Sequence, residues 1–272
     1  MSPSAPDAVA PSATDAGRPL LEVRDLRVRF GGVAAVDGLT FSVAPGEIVS
    51  VIGPNGAGKT SAFNCITGFY KPVGGRVVFD GVDVTGARPA RIAARGLSRT
   101  FQNLRLFHNL SVLDNVKSGM HARTREHFWD VLLHTPRYGR VERDCDERAV
   151  RLLAFVGYRG HPAQVAKQLP YGEQRRVEIA RALATEPRLL LLDEPGAGLN
   201  HGEKAELLAL IRAIRDSGVA VVLVEHDMGF VMQVSERVVV LDHGREIADG
   251  TPDEVRGDPA VVEAYLGTDE DD

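Results

Sequence analysis

Cysteine, tryptophan and lysine are scarce in this chain of 272 residues. Its two cysteines, Cys65 and Cys145, stand far apart and outside any metal-ligand spacing. Neither a disulfide framework nor a cysteine zinc site fits, and a reducing compartment is expected. Long apolar runs are missing too. The longest are short stretches such as Val219 to Val224, far below the roughly 18 residues of a membrane-spanning helix. The first residues show no basic-then-apolar leader pattern. A basic excess is also lacking. Lys and Arg total 32 against 37 Asp and Glu, a net charge of −5. That balance argues against bulk nucleic-acid binding, which leaves a basic footprint. Arginine outnumbers lysine 27 to 5, a background of composition rather than a functional signal. No internal repeat and no sustained heptad pattern is present.

What remains is the make-up of a globular protein, 44% hydrophobic and 25% charged. Residues 1–18 are mostly Ala, Pro, Ser and Asp, too poor in large apolar residues to offset ordering entropy, so disorder is expected there. Residues 268–272 are an acidic tail expected to fray. Between them, strands and helices alternate. Leu21, Val23, Leu26, Val28 and Phe30 suggest an early strand pair with a turn near Asp25. Glu47 to Gly53 reads as a short apolar strand. Arg76 to Asp80 reads as another, closed by the Asp80-Gly81 turn signal. Gln102 to Gln168 differs: charges of both signs are frequent and helical patterning covers Val112 to Met120 and Glu142 to Val156. An inserted helical lobe is expected. A helix (Gly172 to Thr185), a strand (Arg188 to Asp193), a helix (Glu203 to Asp216) and a strand (Val219 to Glu225) follow. Near-continuous apolar strands alternating with helices imply an α/β fold with a mainly parallel sheet covered on both faces.

The most specific motif is Gly53-Pro54-Asn55-Gly56-Ala57-Gly58-Lys59-Thr60, which matches G-x-x-x-x-G-K-[ST]. Its glycines let the backbone curl so that several N–H groups face one phosphate, and the following helix N-terminus adds partial positive charge. Lys59 is suited to the β- and γ-phosphates, and the Thr60 hydroxyl to Mg²⁺. A second element complements it. Leu189-Leu190-Leu191-Leu192 runs into Asp193-Glu194-Pro195, which delivers two carboxylates at a strand end, where ligands sit in open α/β sheets. Asp193 is suited to hold Mg²⁺ and Glu194 to polarise an attacking water.

These residues, in this order, resemble the ATP-binding cassette (ABC) ATPases over about residues 20–267. The resemblance implies a P-loop NTPase cassette with a RecA-like, mainly parallel core sheet, an antiparallel β subdomain and an inserted helical subdomain. That places one ABC ATPase domain at 19–267, with the helical insertion at about 102–185. It implies that Phe30 stacks on adenine and that the loop through Ser61 binds ATP. Gln102, in Arg99-Thr100-Phe101-Gln102-Asn103, would reach the metal and attacking water. His226, in Val224-Glu225-His226-Asp227, would contact the γ-phosphate. Gly196 to Asn200 would form the loop that meets a second cassette. Pro170, Tyr171, Gly172, Glu173 and Gln174 occupy the signature position, which serves the partner's nucleotide.

The signature departs from Leu-Ser-Gly-Gly-Gln. Pro170 fits the first turn of a helix but lacks the serine hydroxyl, and Asn200 stands where the family usually has Asp. Both departures point to two unlike composite sites in the working dimer. The runs Thr100 to Phe107, Val112 to Val116, Leu169 to Leu183, Ala197 to Asn200, Val239 to Gly244 and Glu263 to Gly267 resemble the ATPases of branched-chain amino-acid importers. So does an insertion at about Met120 to Val150. That group implies a second, different ATPase, two transmembrane permease subunits and an external solute-binding protein. The expected location is the cytoplasmic face of the membrane. Related cargo such as urea or amides, an exporter ATPase and a soluble non-transport ATPase remain alternatives. Leu104, Leu106 and Phe107 either anchor a permease helix or pack between the two lobes. Cys65 is expected in the core, Phe128 and Trp129 in packing or an interface, and His121 to Arg151 on a solvated face.

Overall fold

The computed structural model describes residues 17–120 and 136–266. Most of the two expected tails, 121–135 of the expected insertion, and Phe128 and Trp129 lie outside the described residues.

Two sheets share the chain. The larger has six strands in the order β10-β9-β3-β8-β7-β6. Its central strands are β3 (Ile48–Ile52), β7 (Leu189–Asp193) and β8 (Ala220–Val224), with β6 (Leu97–Arg99) at one edge and β9 (Arg237–Asp242) on the other side. These five are mutually parallel, and β10 (Arg245–Gly250) adds an antiparallel edge. The smaller sheet is antiparallel, in the order β2-β1-β4-β5, from β1 (Leu21–Phe30), β2 (Val33–Val43), β4 (Gly74–Phe79) and β5 (Val82–Asp83). The mainly parallel core and the antiparallel second sheet agree with the expected fold class.

The leucine run shows why the core strands are apolar throughout. Side chains alternate across a strand. Leu189 and Leu191 enter the core under the antiparallel sheet, with Phe63 and Ile66 of α1 (Lys59–Ile66) and Ile92 of α2 (Pro89–Ala93). Leu190 and Leu192 enter the opposite core, with the helices α3 (Val112–Met120), α4 (Pro136–Phe155), α5 (Tyr171–Leu183) and α6 (His201–Asp216). Both faces are buried, so no alternation survives in sequence. Each fully buried leucine contributes about 1.5–3 kcal/mol.

One early reading is corrected. No turn divides Leu21 to Phe30: these residues form one strand that bulges at Asp25. Asp25 takes a left-handed φ of 48°, and its amide donates to Thr40 Oγ1 at 2.8 Å. The bulge absorbs the polar residue without reversing the chain, and the true partner strand is β2. Pro170 likewise precedes α5 as its cap residue, with φ −55° and ψ 153°, rather than opening its first turn. Gln102 begins an irregular segment, and helix resumes only at Val112.

Candidate functional site

The phosphate-binding motif is a loop between the buried strand β3 and helix α1. Gly53 has φ 149°, and a Cβ there would run into the Leu241 carbonyl at the end of β9. Only glycine permits that approach. Asn55 and Gly56 are exposed, Pro54, Gly58 and Ser61 half-buried, Ala57 buried and Thr60 exposed. Lys59 is buried, and its ammonium donates to the carbonyls of Gly53 at 2.6 Å and Pro54 at 2.9 Å. Burial pulls its pKa below the ordinary lysine value, while the nearby charges of Glu194 and Asp193 oppose that shift.

The two acids end β7 in different environments. Asp193 is buried and accepts from Arg99 Nη2 at 2.6 Å, a pair with both side chains about 5% exposed or less. Arg99 also donates to Asn64 Oδ1 at 2.7 Å and to Thr67 Oγ1 at 3.1 Å, and lies 5.0 Å from the Phe101 ring centre. Sequence reasoning missed this arginine. Its signal is a lone charge in the short buried strand Leu97-Ser98-Arg99, which demands a partner. Glu194 takes a left-handed φ of 45°, and its amide donates to the Val224 carbonyl at 2.9 Å. A carboxylate held in this strained geometry is aimed by its backbone rather than by rotamer choice alone.

Gln102 and His226 both reach Glu194. Gln102 Nε2 donates to Glu194 Oε2 at 2.9 Å. His226 Nδ1 lies 4.0 Å from the same oxygen, with most of its side chain exposed. The residues flanking His226 fix its loop. Asp227 caps α7 (Met228–Val234) through the Phe230 amide at 3.1 Å and pairs with Lys204 at 2.6 Å. Glu225, 1% exposed, accepts from the Gly196 amide at 2.8 Å. Burial pushes Glu225 above the usual carboxylate range, against the opposing hydrogen bond from Gly196. Glu225, like Arg99, carried no functional reading in the sequence.

The structure therefore brings Lys59, Asp193, Glu194, Gln102 and His226 into one cluster. The signature residues sit elsewhere. The Tyr171 ring lies against Gly198, and Gly172 packs against Glu203 at the start of α6. Gln174 Nε2 donates to the Leu169 carbonyl at 2.8 Å, and Glu173 lies 3.9 Å from Arg176. Asn200 caps α6: its Oδ1 accepts from the Glu203 amide at 3.0 Å, and Glu203 Oε2 accepts the Asn200 amide at 2.9 Å. That reciprocal cap gives Asn200 a local structural role. Phe30 is half exposed and meets Tyr70 edge-on at 5.2 Å between ring centres. Of the apolar residues after Gln102, Leu106 is buried in the helical core, which is the packing reading, while Phe107 is exposed. Cys65 is buried in the core, and burial raises its thiol to about 11.

The donor set suits Mg²⁺. The Thr60 hydroxyl, the Asp193 carboxylate and the Gln102 side-chain carbonyl are hard oxygen donors. Arg99 engages Oδ2 of Asp193 and holds that carboxylate in place. Among the described residues, no three His, Cys, Asp or Glu side chains cluster as a metal cage. A cage is not expected for Mg²⁺, which shares its shell with phosphate oxygens and water.

A family profile for ABC transporters matches residues 36–197. A second, for branched-chain amino acid ATP-binding cassette transporters, matches residues 245–271. The chain is 46% identical over 251 residues to the high-affinity branched-chain amino acid transport ATP-binding protein BraF of Pseudomonas aeruginosa, covering 92% of this chain and 98% of that protein. It is 44% identical, at the same coverage, to the corresponding protein LivG of Escherichia coli K12. Among solved structures, it is similar to the ADP conformation of an ATP-binding cassette of an ABC transporter, with TM-score 0.79, 30% identity and coverage of 92% and 99%. A nucleotide-free ATP-binding cassette matches with TM-score 0.80, 31% identity and coverage of 91% and 99%. With both the site geometry and these likenesses in place, the chain belongs to the ABC transporter family, as one of its ATP-binding cassettes.

Proposed function

We propose that this chain is the ATP-hydrolysing subunit of an importer of branched-chain amino acids. One observation carries the cargo class: the branched-chain profile at 245–271, beside two branched-chain transport relatives spanned to 98% of their length. The chemistry is read from the cluster. Lys59 and the loop amides of Gly53 to Ser61, Pro54 excepted, take the β- and γ-phosphates, and adenine stacks on Phe30. Thr60, Asp193 and Gln102 would hold Mg²⁺, which when bound would supply charge neutralisation on those phosphates. Glu194 orients a water and accepts its proton as oxygen attacks the γ-phosphorus and ADP leaves. Gln102 and His226 position the water and the γ-phosphate around Glu194.

The chain itself supplies half of the machine. No helix among the described residues is long and apolar enough to cross a membrane. Two permease subunits provide the path, with this chain at their cytoplasmic face. A second, different cassette completes each nucleotide site, and an external binding protein delivers solute. Pro170 has no hydroxyl to offer across the interface, so the two composite sites hydrolyse ATP unequally. Exposed Phe107 and Leu110, beside the Gln102 loop, are the apolar anchors for a permease helix. Isolating the complex from membranes and adding solute-loaded binding protein tests the reading. Branched-chain amino acids are expected to raise ATP turnover, whereas stimulation by another solute class, or recovery without permeases, rejects it.

A further inference from the structure

The Gln102 segment and the signature helix meet at a fully buried arginine. Arg175, on α5, is 1% exposed. It donates through Nη1 to the Phe101 carbonyl at 2.9 Å and through Nη2 to the Gln102 carbonyl at 3.1 Å. The same Nη2 lies 2.9 Å from the Tyr171 hydroxyl, which accepts from it. Glu178, one turn on and equally buried, accepts from Arg175 Nη1 at 2.8 Å and from the Arg105 amide at 3.1 Å. Two carbonyls and one amide of the 101–105 segment are thus fixed to one helix face.

These contacts close a circuit. Gln102 reaches Glu194 at 2.9 Å through its side chain while its carbonyl is held by Arg175. Arg175 holds Tyr171, and the Tyr171 ring lies against Gly198. Gly198 has φ 75°, and a Cβ there would come within 3.3 Å of Tyr171 Cε1. The segment from Glu194 to Gly198 completes the ring. A buried arginine–glutamate pair adds little stability over apolar residues of similar size. Its planar fork instead fixes several acceptors at once. The placement of Arg175 therefore serves geometry.

We propose that Arg175 is a positioning residue that couples this chain's own catalytic site to the surface it offers the second cassette. This rests on the ATPase function proposed above. A shift of Gln102 at the site of Glu194 displaces its carbonyl. The rigid guanidinium carries that displacement to Tyr171 and, through ring contact, to Gly198. Signature and dimer-facing loop move with Gln102 as one unit, so each composite site senses the state of the other.

The test pairs Arg175→Met with Glu178→Leu, an apolar exchange that keeps the buried volume, and compares Arg175→Lys, which keeps charge but loses the fork. In the isolated full-length chain, the double variant is expected to bind a fluorescent ATP analogue within about twofold of wild type, since no phosphate contact changes. In the reconstituted complex, turnover is expected to fall about tenfold or more, and the Hill coefficient for ATP from above one to one, with the lysine variant between. Amides of 102–106 and of 197–200 are expected to exchange faster together in the double variant. Wild-type turnover and cooperativity in the double variant, a non-cooperative wild type, or faster exchange confined to 102–106 overturns the proposal. A wild-type complex without ATPase activity overturns the function instead, and the exchange comparison still decides the coupling.

Discussion

Arg99 holds Asp193 in a buried ion pair at 2.6 Å, and also bonds Asn64 of the helix that follows the phosphate loop and Thr67 at that helix's C-cap. Asp193, the proposed Mg²⁺ ligand, is thereby tied to α1 and to the strand that leads into Gln102. Removing the arginine leaves Asp193 as an uncompensated buried charge. Arg99→Leu is expected to lower stability by about 3–5 kcal/mol. Urea unfolding measures this, and a loss below about 1 kcal/mol contradicts the role given to the pair.

Gly53 permits the strand to turn into the phosphate loop beneath the Leu241 carbonyl. Gly53→Ala must move that carbonyl or abandon φ 149°. A stability loss of about 2 kcal/mol or more is expected, with a larger loss of nucleotide affinity. Calorimetric titration with ATP at fixed Mg²⁺ reads the second effect. Undiminished affinity would show that the loop tolerates a different path.

Glu225 gives a pH dependence of definite sign. Its pKa is raised from 4.5, first by burial and then by Glu194, against hydrogen bonds from Gly196 and His226 and the His226 charge. The folded state therefore binds this proton more tightly than the unfolded chain. Its contribution is fully present below pH 4.5 and is lost as pH rises through the higher folded value. Glu225→Gln removes that loss, so its stability relative to wild type should improve from pH 4.5 towards neutrality. Unfolding curves across that range decide it, and a constant difference rejects the assignment.

Asn200, which stands where the resemblance implies Asp, caps α6 reciprocally with Glu203. Asn200→Ala is expected to cost about 1 kcal/mol, and Asn200→Asp almost nothing, because asparagine and aspartate cap about equally well. If the asparagine also lowers activity at one composite site, Asn200→Asp raises turnover of the complex at unchanged melting temperature. Unchanged turnover removes Asn200 as a source of unlike sites.

The parts legible in the sequence are those written in contiguous residues. The phosphate loop announces itself through three glycines and Lys59, and β7 through four leucines ending in two acids. Glu194 follows from its place at the end of the leucine strand, Gln102 and His226 only from the resemblance, and the three lie close together in space. The bulge at Asp25 looks like a turn in sequence because a polar residue in an alternating run gives the same local signal for both. The distinction lies in a strand that pairs across it. Arg99, Arg175 and Glu225 are silent in the sequence for a related reason. Their partners are Asp193, Gln102 and Gly196, 94, 73 and 29 residues away. A buried charge is visible in sequence only as an anomaly, and its meaning comes from what the fold sets beside it.

In the proposed function Glu194, held by Gln102 at 2.9 Å beside the phosphate loop, is the base that makes this chain an ATPase driving solute uptake. The most direct measurement is solute-stimulated ATP turnover of the complex carrying Glu194→Gln in this chain alone. Loss of a general base is expected to lower turnover at this chain's site by about 10²–10⁴-fold, with ATP still bound and uptake lost. Solute-stimulated turnover and uptake at wild-type levels would rule out Glu194 as the general base.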